Sequence, residues 1–121
     1  MQKILIVDDQ LEIRELINVT LRRGDYRILE AKTGQEAIEM TKKEKPDLII
    51  MDIMMPGEID GLKATRILKK DHKTKDCKVV ILSSKGQKID IEKGSESGAD
   101  DYFVKPFDPL DLITKVEEVL G

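Results

Sequence analysis

The chain has 121 residues, which fits a single domain over residues 1–121 built around one hydrophobic core. Its apolar content of 40% excludes a wholly disordered chain, and its net charge of −3, without a stripe of Lys and Arg, argues against nucleic-acid binding by this domain. The single cysteine, Cys77, excludes an internal disulfide. No apolar run reaches the roughly 20 residues that span a bilayer, and the first apolar run starts too early for a signal peptide, so we expect a cytoplasmic protein without membrane contact.

Five short segments predict β-strands, over residues 3–7, 27–31, 47–51, 78–82 and 101–104. The first, third and fourth contain continuous apolar runs, which are typical of strands covered on both faces in a parallel sheet. The second has a shorter apolar run flanked by charge, so we predict an edge strand there.

Segments with helical periodicity separate these strands. The first predicted helix ends near Gly24, and its apolar face holds Ile13, Leu16, Ile17, Thr20 and Leu21. The second opens at Thr33 with a capping-box pattern and closes before Pro46, and the third covers about residues 60–70. The last covers residues 109–120 behind Asp108 as N-cap. Residues 86–97 have few apolar side chains, so we predict a poorly anchored helix there.

The alternation of strand and helix, repeated five times without a linker, predicts the fold class. It indicates an α/β fold with an open, doubly wound, five-stranded parallel sheet and right-handed crossovers. In such a sheet the ligand lies beyond the carboxyl ends of the strands. The residues that follow each strand are therefore the candidates for a functional site.

Polar side chains follow four of the five predicted strands. Asp8 and Asp9 follow the first, Asp52 the third, Ser83 the fourth and Lys105 the fifth. Taken singly, each aspartate is typical of a turn or helix cap, and the serine and lysine are typical of a solvated loop. Caps do not require three carboxylates, a hydroxyl and a lysine at one edge of one sheet, so together they predict a site.

The residue types in this set suit phosphoryl transfer. Clustered carboxylates repel one another, and a hard divalent cation with oxygen ligands, Mg²⁺ above all, relieves the repulsion. An ionised Asp52 is a competent nucleophile. The transition state spreads negative charge over three oxygens, which Mg²⁺, the Lys105 ammonium and the Ser83 hydroxyl can each neutralise or bind.

Several motifs carry a resemblance to a known family, and they run from one end of the chain to the other. They are residues 4–9 (ILIVDD), 46–56 (PDLIIMDIMMP), 60–61 (DG), Ser83 and 98–107 (GADDYFVKPF). On these motifs the chain resembles the receiver domain of bacterial two-component response regulators, similar to the single-domain regulators of chemotaxis and sporulation. The resemblance implies a flavodoxin-like (βα)5 fold with strand order 2-1-3-4-5.

The resemblance also implies a phosphorylation site and a metal site. Asp52 would accept a phosphoryl group from a histidine kinase or a histidine phosphotransfer protein. Asp9, Asp52 and the backbone carbonyl of Met54 would ligate Mg²⁺ directly, and Asp8 would do so through water. The protein would be no enzyme in the usual sense, but a phosphoacceptor that assists its own phosphorylation and dephosphorylation.

Three further residues have implied roles in switching. Ser83 would move toward the phosphoryl group, Lys105 would pair with a phosphoryl oxygen and precede a cis peptide bond to Pro106, and Tyr102 would turn inward. The alternative for Tyr102 is a purely structural role, in which its ring lies at the edge of a strand and half covers the core. The output face would comprise the fourth helix, the fifth strand and the last helix, and would contact a downstream protein target. The chain would be a monomer or a phosphorylation-dependent dimer.

Three departures from the family pattern are visible. Gly57, Glu58 and Ile59 separate Pro56 from the Asp-Gly pair, where the family usually has two residues, so we expect a bulged loop. Ser84 replaces a common alanine, and the 86–97 helix is weak. We hypothesise that this helix samples several arrangements until phosphorylation narrows them, which hydrogen exchange would test.

Two residues near the proposed phosphorylation site bear on the lifetime of the phosphoryl group. The resemblance implies that Met54 and Lys85, two positions beyond Asp52 and Ser83, would flank the path of hydrolytic water. Because a methionine side chain cannot hold a water by hydrogen bonding, we predict slow hydrolysis.

Alternative functions are open within and outside this family. The chain could be the receiver half of a longer regulator with a DNA-binding or enzymatic output domain, although the end at Gly121, without a linker, favours a stand-alone protein. A haloacid-dehalogenase-like phosphohydrolase would need a second carboxylate two positions after its nucleophile, where Asp8 is followed by Gln10. We assign no role to His72 or Cys77.

Overall fold

The computed structural model of the chain describes residues 1–83 and 96–121. Five parallel strands form one sheet in the order β2-β1-β3-β4-β5, which confirms the predicted α/β fold and strand order, with β2 at an edge. The predicted helix over residues 86–97 lies almost wholly outside the described residues. No helix in the two described ranges is long and apolar enough to cross a membrane.

The bounds of the elements agree with the predicted segments to within a few residues. The strands are β1 (Gln2–Val7), β2 (Tyr26–Ala31), β3 (Leu48–Asp52), β4 (Lys78–Ser83) and β5 (Asp101–Val104). The helices that the structure describes are α1 (Leu11–Leu21), α2 (Gly34–Glu44), α3 (Gly61–Lys70) and α4 (Pro109–Leu120).

Alternate residues of the central strands point to opposite faces of the sheet and form two separate cores. On one face Leu5, Ile49 and Val79 pack with apolar residues of α2 and α3. On the other face Ile4, Ile50 and Val80 pack with apolar residues of α1 and α4. The three central strands contain continuous apolar runs because both of their faces are buried, as the sequence predicts for a sheet between two helical layers.

Three of the four helices that the structure describes start at side-chain caps. The Thr33 hydroxyl accepts a hydrogen bond from the amide of Glu36 at 3.1 Å, as the capping-box pattern predicts. The Asp60 carboxylate accepts from the amide of Lys63 at 2.8 Å, and that of Asp108 accepts from the amide of Leu110 at 2.8 Å. These caps fix the first turns of the helices that follow the carboxyl ends of β2, β3 and β5.

Helix α1 differs from its predicted apolar face in one respect. Leu16 is 45% exposed, whereas Arg14 is only 6% exposed. Ile17, Thr20 and Leu21 are buried as expected. The assignment of Leu16 to the core was therefore wrong, because the helix rotates Arg14 into the inner face, where its guanidinium finds acceptors.

Two glycines allow the β3–α3 loop to pack closely against its neighbours. A Cβ on Gly61 would overlap the carbonyl oxygen of Asp52, and a Cβ on Gly34 would overlap that of Ile59. The Gly61 amide also donates to the Ile53 carbonyl at 3.0 Å. The start of α3 therefore lies directly on the backbone of the last residue of β3.

Replacing Gly61 with alanine is expected to destabilise the protein by about 2–3 kcal/mol, because backbone atoms that cannot turn aside must shift. Urea unfolding followed by circular dichroism measures the change. Gly24→Ala is the matched control, since its Cβ would meet only the Tyr26 ring, which can rotate away, and it should cost clearly less. Equal losses in the two variants would contradict the close-packing explanation.

Candidate functional site

Asp8 lies immediately beyond β1 and is fully buried. Its amide donates to the Ala31 carbonyl at 3.2 Å, which extends the pairing of β1 with β2 by one residue. One carboxylate oxygen accepts from the Gln10 amide at 2.9 Å, and the other accepts from the Lys105 ammonium at 2.8 Å. Each oxygen of this buried carboxylate therefore has a donor, as burial of a charge requires.

Asp52 is the last residue of β3 and is 6% exposed. Its Oδ1 lies 3.3 Å from the Nζ atom of Lys105. Lys105 follows β5, and its amide donates to the Ser83 carbonyl at 2.7 Å, which continues the pairing of β4 with β5. The sheet register thus brings Lys105 between the carboxylates that follow β1 and end β3.

Asp9 completes a cluster of three carboxylates with Asp8 and Asp52. One oxygen from each carboxylate lies within 4.8 Å of the others, and Asp9 is the exposed member. Carboxylate oxygens in such proximity suit a hard divalent cation such as Mg²⁺ or Ca²⁺, and the exposed member gives solvent access. The predicted cluster is confirmed as a group of residues that could hold a metal.

The charges of the cluster act on the acid–base properties of Asp52. Burial, reinforced by the negative charge of Asp8, raises the pKa of Asp52 to about 6, against the opposing effect of the Lys105 ammonium. Burial lowers the pKa of Lys105, but its hydrogen bond to Asp8 and the charge of Asp52 outweigh this and raise that pKa overall. The Lys105 ammonium therefore does not fully offset the effect of burial and of the neighbouring negative charges on the pKa of Asp52.

Ser83 and Tyr102 lie on the neighbouring strands. Ser83 ends β4 and is 3% exposed, at the same edge of the sheet as Asp52. Tyr102 is opposite Ile81 in the pairing of β4 with β5 and is 42% exposed. The structure thus places Ser83 at the predicted edge and shows Tyr102 with much of its ring in solvent. The peptide bond between Lys105 and Pro106 is cis, as expected.

The loop after Asp52 contains the extra residue noted in the sequence. Gly57 has φ of +98°, a backbone conformation that favours glycine, in line with the predicted bulge. The side chain of Met54 is 65% exposed, whereas Met55 is buried in the core. Ser84 and Lys85 lie outside the described residues.

Arg14 contacts this site, which was not predicted from the sequence. Its Nη1 donates to the backbone carbonyl of Asp8 at 2.8 Å, and its Nε lies 3.0 Å from Oε1 of Glu30. A signal was available, because Arg14 falls three residues before Ile17 and seven before Leu21 on a helical face. Its charge made solvent exposure the ordinary expectation.

His72 and Cys77, to which no role was assigned, lie away from the cluster. His72 is exposed in the α3–β4 loop, and Cys77 is buried just before β4. Burial raises the pKa of the Cys77 thiol, which lowers its reactivity. Their positions are consistent with a solvated side chain and a packed one.

The chain matches the family model of the response regulator receiver domain over residues 4–117. It is 44% identical over 117 residues to the phosphate regulon transcriptional regulatory protein PhoB of Pseudomonas aeruginosa, a match that covers 97% of this chain and 51% of the relative. The chain spans about half the length of the curated relatives it matches.

Solved structures with the same fold include two receiver proteins. The chemotaxis response regulator CheY4 of Vibrio cholerae aligns with a TM-score of 0.91 and 29% identity over 98% of each chain. The receiver domain of the sensor histidine kinase PA1611 from Pseudomonas aeruginosa aligns with a TM-score of 0.90 and 28% identity, over 99% of this chain and 98% of that one. That second structure has a magnesium ion coordinated in its active site cleft.

Replacing Asp52 with asparagine is expected to stabilise the metal-free protein above pH 6. The pKa of Asp52 is raised in the folded state, so ionising Asp52 destabilises the folded protein. This free-energy cost is absent below about pH 4, grows between about pH 4 and 6, and is complete above about pH 6. A rise of the pKa to about 6 corresponds to about 3 kcal/mol at most.

Urea unfolding of both proteins in EDTA between pH 4 and pH 8 measures this difference. The gain in the free energy of unfolding from Asp52→Asn should vanish at pH 4. The control variant Glu118→Gln, at an exposed position, should show no such pH-dependent gain. An Asp52→Asn variant that is less stable than the parent at pH 7 would contradict the electrostatic cost.

Proposed function

Because the chain belongs to the response regulator receiver domain family, we propose that it is a phosphorylation-activated switch of a two-component system. In this proposal Asp52 accepts a phosphoryl group with Mg²⁺ bound beside it. The donor is the phosphohistidine of a histidine kinase or of a histidine phosphotransfer protein.

One observation carries the proposal. The carboxylates of Asp8, Asp9 and Asp52 meet within 4.8 Å, and the Lys105 ammonium contacts two of them, at 2.8 Å to Asp8 and 3.3 Å to Asp52. A nucleophilic carboxylate, a set of oxygen ligands and a fixed cation are the parts that positioned phosphoryl transfer needs.

The transfer forms one bond and breaks one bond. A carboxylate oxygen of Asp52 attacks phosphorus, the P–N bond to the donor imidazole breaks, and its electron pair stays on the nitrogen. Lys105 binds one oxygen of the transferred group, and the Ser83 hydroxyl donates to another. Asp52 must be ionised to attack, and its raised pKa of about 6 leaves it ionised above that pH.

The metal would be held by this chain's oxygen atoms. Asp9 and Asp52 would ligate it directly with the backbone carbonyl of Met54, and Asp8 would do so through water. Bound Mg²⁺ supplies positive charge to the oxygens of the phosphoryl group. The donor set fits this ion, since every proposed ligand is an oxygen and one side of the cluster is open to solvent.

Phosphorylation alters the output face. Ser83 moves toward the phosphoryl group, and Tyr102, now 42% exposed, turns inward. The affected face comprises the 86–97 segment, β5 and α4, of which the structure describes β5 and α4. A downstream protein reads this face, with the chain acting as a monomer or as a phosphorylation-dependent dimer.

A second candidate is that the chain is the receiver part of a longer transcriptional regulator. The observation that favours it is the match to PhoB, of which this chain spans 51%. The length of the native reading frame distinguishes the two cases, because a regulator of this kind would continue well beyond Gly121.

Phosphoryl uptake from acetyl phosphate tests the central proposal. The parent protein should gain the mass of one phosphoryl group in the presence of Mg²⁺, and both EDTA and Asp52→Asn should abolish the gain. Asp47→Asn is the matched control, since Asp47 precedes the opposite end of β3 and its side chain accepts a bond from the Lys3 amide that asparagine can also accept. Uptake by Asp52→Asn equal to that of the parent would refute the proposal.

Replacing Met54 with asparagine should shorten the lifetime of the phosphoryl group several-fold. The Met54 side chain is 65% exposed and cannot orient water, whereas an amide can hold a hydrolytic water by hydrogen bonding. The decay of the phosphorylated protein, followed by mass spectrometry after removal of acetyl phosphate, measures the rate. Met54→Leu should decay at the parent rate, and an unchanged rate in Met54→Asn would contradict the explanation.

A further inference from the structure

We propose that Arg14 is a positioning residue for the metal site, because its guanidinium fixes the peptide unit that joins Asp8 to Asp9. This inference rests on the proposed function, since it assigns Asp9 as a ligand of Mg²⁺. It concerns the affinity of the site for the cation and not the nucleophile itself.

The contacts of Arg14 are directed and buried. The side chain is 7% exposed, and Nη1 donates to the Asp8 carbonyl oxygen at 2.8 Å. Its Nε donates to Oε1 of Glu30 at 3.0 Å. A guanidinium has donors in a fixed planar fork, so two bonds on different edges determine both its position and its orientation.

The carboxylate that accepts from the Arg14 guanidinium belongs to Glu30 on β2. Glu30 is opposite Ile6 of β1 in the sheet register, and its second oxygen accepts from the Asn18 side-chain amide at 3.1 Å. Helix α1 is thereby joined to β2 through Glu30 and to the end of β1 through the Asp8 carbonyl. Arg14 connects the helix to the sheet at the residue that immediately follows β1.

The Asp8 carbonyl group is part of the peptide unit that also contains the backbone start of Asp9. The carbonyl group of Asp8 and the amide and Cα of Asp9 belong to one planar peptide unit. A donor that fixes the direction of that carbonyl therefore also fixes the position of the Asp9 Cα atom, from which the ligand carboxylate extends.

The position of the Asp9 carboxylate depends on its backbone more than the position of the Asp8 carboxylate does. The Asp8 side chain is held by the Gln10 amide and the Lys105 ammonium, and its own amide is held by Ala31. For Asp9, no group among residues 1–83 and 96–121 donates a hydrogen bond to the exposed carboxylate or forms an ion pair with it. The backbone of Asp9 is restrained on one side by the bond from Arg14 to the Asp8 carbonyl, and on the other by the bond from the Gln10 amide to the Asp8 carboxylate.

Without the bond from Arg14, the peptide that joins Asp8 to Asp9 loses one of its restraints, and the Asp9 carboxylate samples a wider range of positions around the cluster. Groups that orient metal ligands without touching the metal commonly change its affinity by about 10–100-fold. We expect Arg14→Met, which keeps the long apolar stem, to weaken Mg²⁺ binding about 10-fold. Arg14→Lys keeps a cationic donor group at the end of the side chain and should lose less affinity.

The experiment is a titration of the ¹⁵N-labelled, metal-free proteins with MgCl₂, followed by two-dimensional NMR. It reports the dissociation constant from the amide signals of the site, and the signal of the Asp9 amide before metal is added. Arg14→Met should weaken binding and shift the metal-free Asp9 signal, since this amide belongs to the released peptide.

Glu30→Gln is the matched control. It removes the charge that pairs with Arg14, but it keeps a side-chain oxygen that can accept from Nε and leaves the donor to the Asp8 carbonyl in place. We expect its affinity for Mg²⁺ to stay within about twofold of the parent, and the Asp9 signal to stay unshifted. Thermal unfolding in EDTA reports the stability of each variant separately.

A second measurement separates positioning from chemistry. The Mg²⁺ concentration that gives half-maximal phosphoryl uptake from acetyl phosphate should rise about 10-fold in Arg14→Met, while the rate at saturating Mg²⁺ stays near that of the parent. A merely structural role would lower the maximal rate or the folded fraction without this split.

Three results would overturn the inference. These are parental Mg²⁺ affinity in Arg14→Met, equal losses of affinity in Arg14→Met and Glu30→Gln, and an unshifted Asp9 signal in the metal-free variant. If Arg14→Met does not fold, the same comparison is made between Arg14→Lys and Glu30→Gln. A parent protein that binds no Mg²⁺ would instead refute the proposed function, which keeps the two failures distinct.

Discussion

The ammonium of Lys105 between the carboxylates of Asp8 and Asp52 is the interaction on which the site depends. Two buried carboxylates from adjacent strands repel each other, and a third at Asp9 adds to the repulsion. A cation within 2.8 Å of one and 3.3 Å of the other offsets part of that cost. Burial, reinforced by the charge of Asp8, still raises the pKa of Asp52 to about 6. The free protein therefore carries excess negative charge at a place open to solvent, which is the condition under which a divalent cation binds most favourably.

The two apolar cores make this arrangement possible. Asp52 ends a strand whose five residues are all buried, and Asp8 follows four buried residues of β1. Their backbones are fixed by pairing with the neighbouring strands, so repulsion between the side chains cannot be relieved by moving the strands apart. The same rigidity holds Lys105, whose amide pairs with Ser83. Burial of apolar side chains thus stabilises the chain enough to hold the charges of the site in an unfavourable arrangement.

Much of the fold and the location of the site could be predicted from sequence because they follow from local pattern. Continuous apolar runs identify strands buried on two faces, and the polar residue after each run falls at one edge of a parallel sheet. The face of α1 was predicted less well, since periodicity cannot distinguish an exposed Leu16 from a buried Arg14 without knowing that the Asp8 carbonyl and Glu30 lie opposite. The close contacts of Gly34 and Gly61 could not be predicted for the same reason. They depend on which backbone segment passes nearby, which no local pattern encodes.

The loop after Asp52 shows how the fold confines an extra residue. At its start, the Ile53 amide donates to the Leu82 carbonyl at 3.1 Å and Met55 is buried in the core. At its end, the Ile59 carbonyl contacts Gly34 and the capped start of α3 lies on Asp52. Between these fixed ends, residues 56–58 are exposed, and Gly57 takes the positive φ that the turn requires. The added length therefore extends into solvent from the tip, and the backbone next to Asp52 keeps the path that β3 and α3 impose on it.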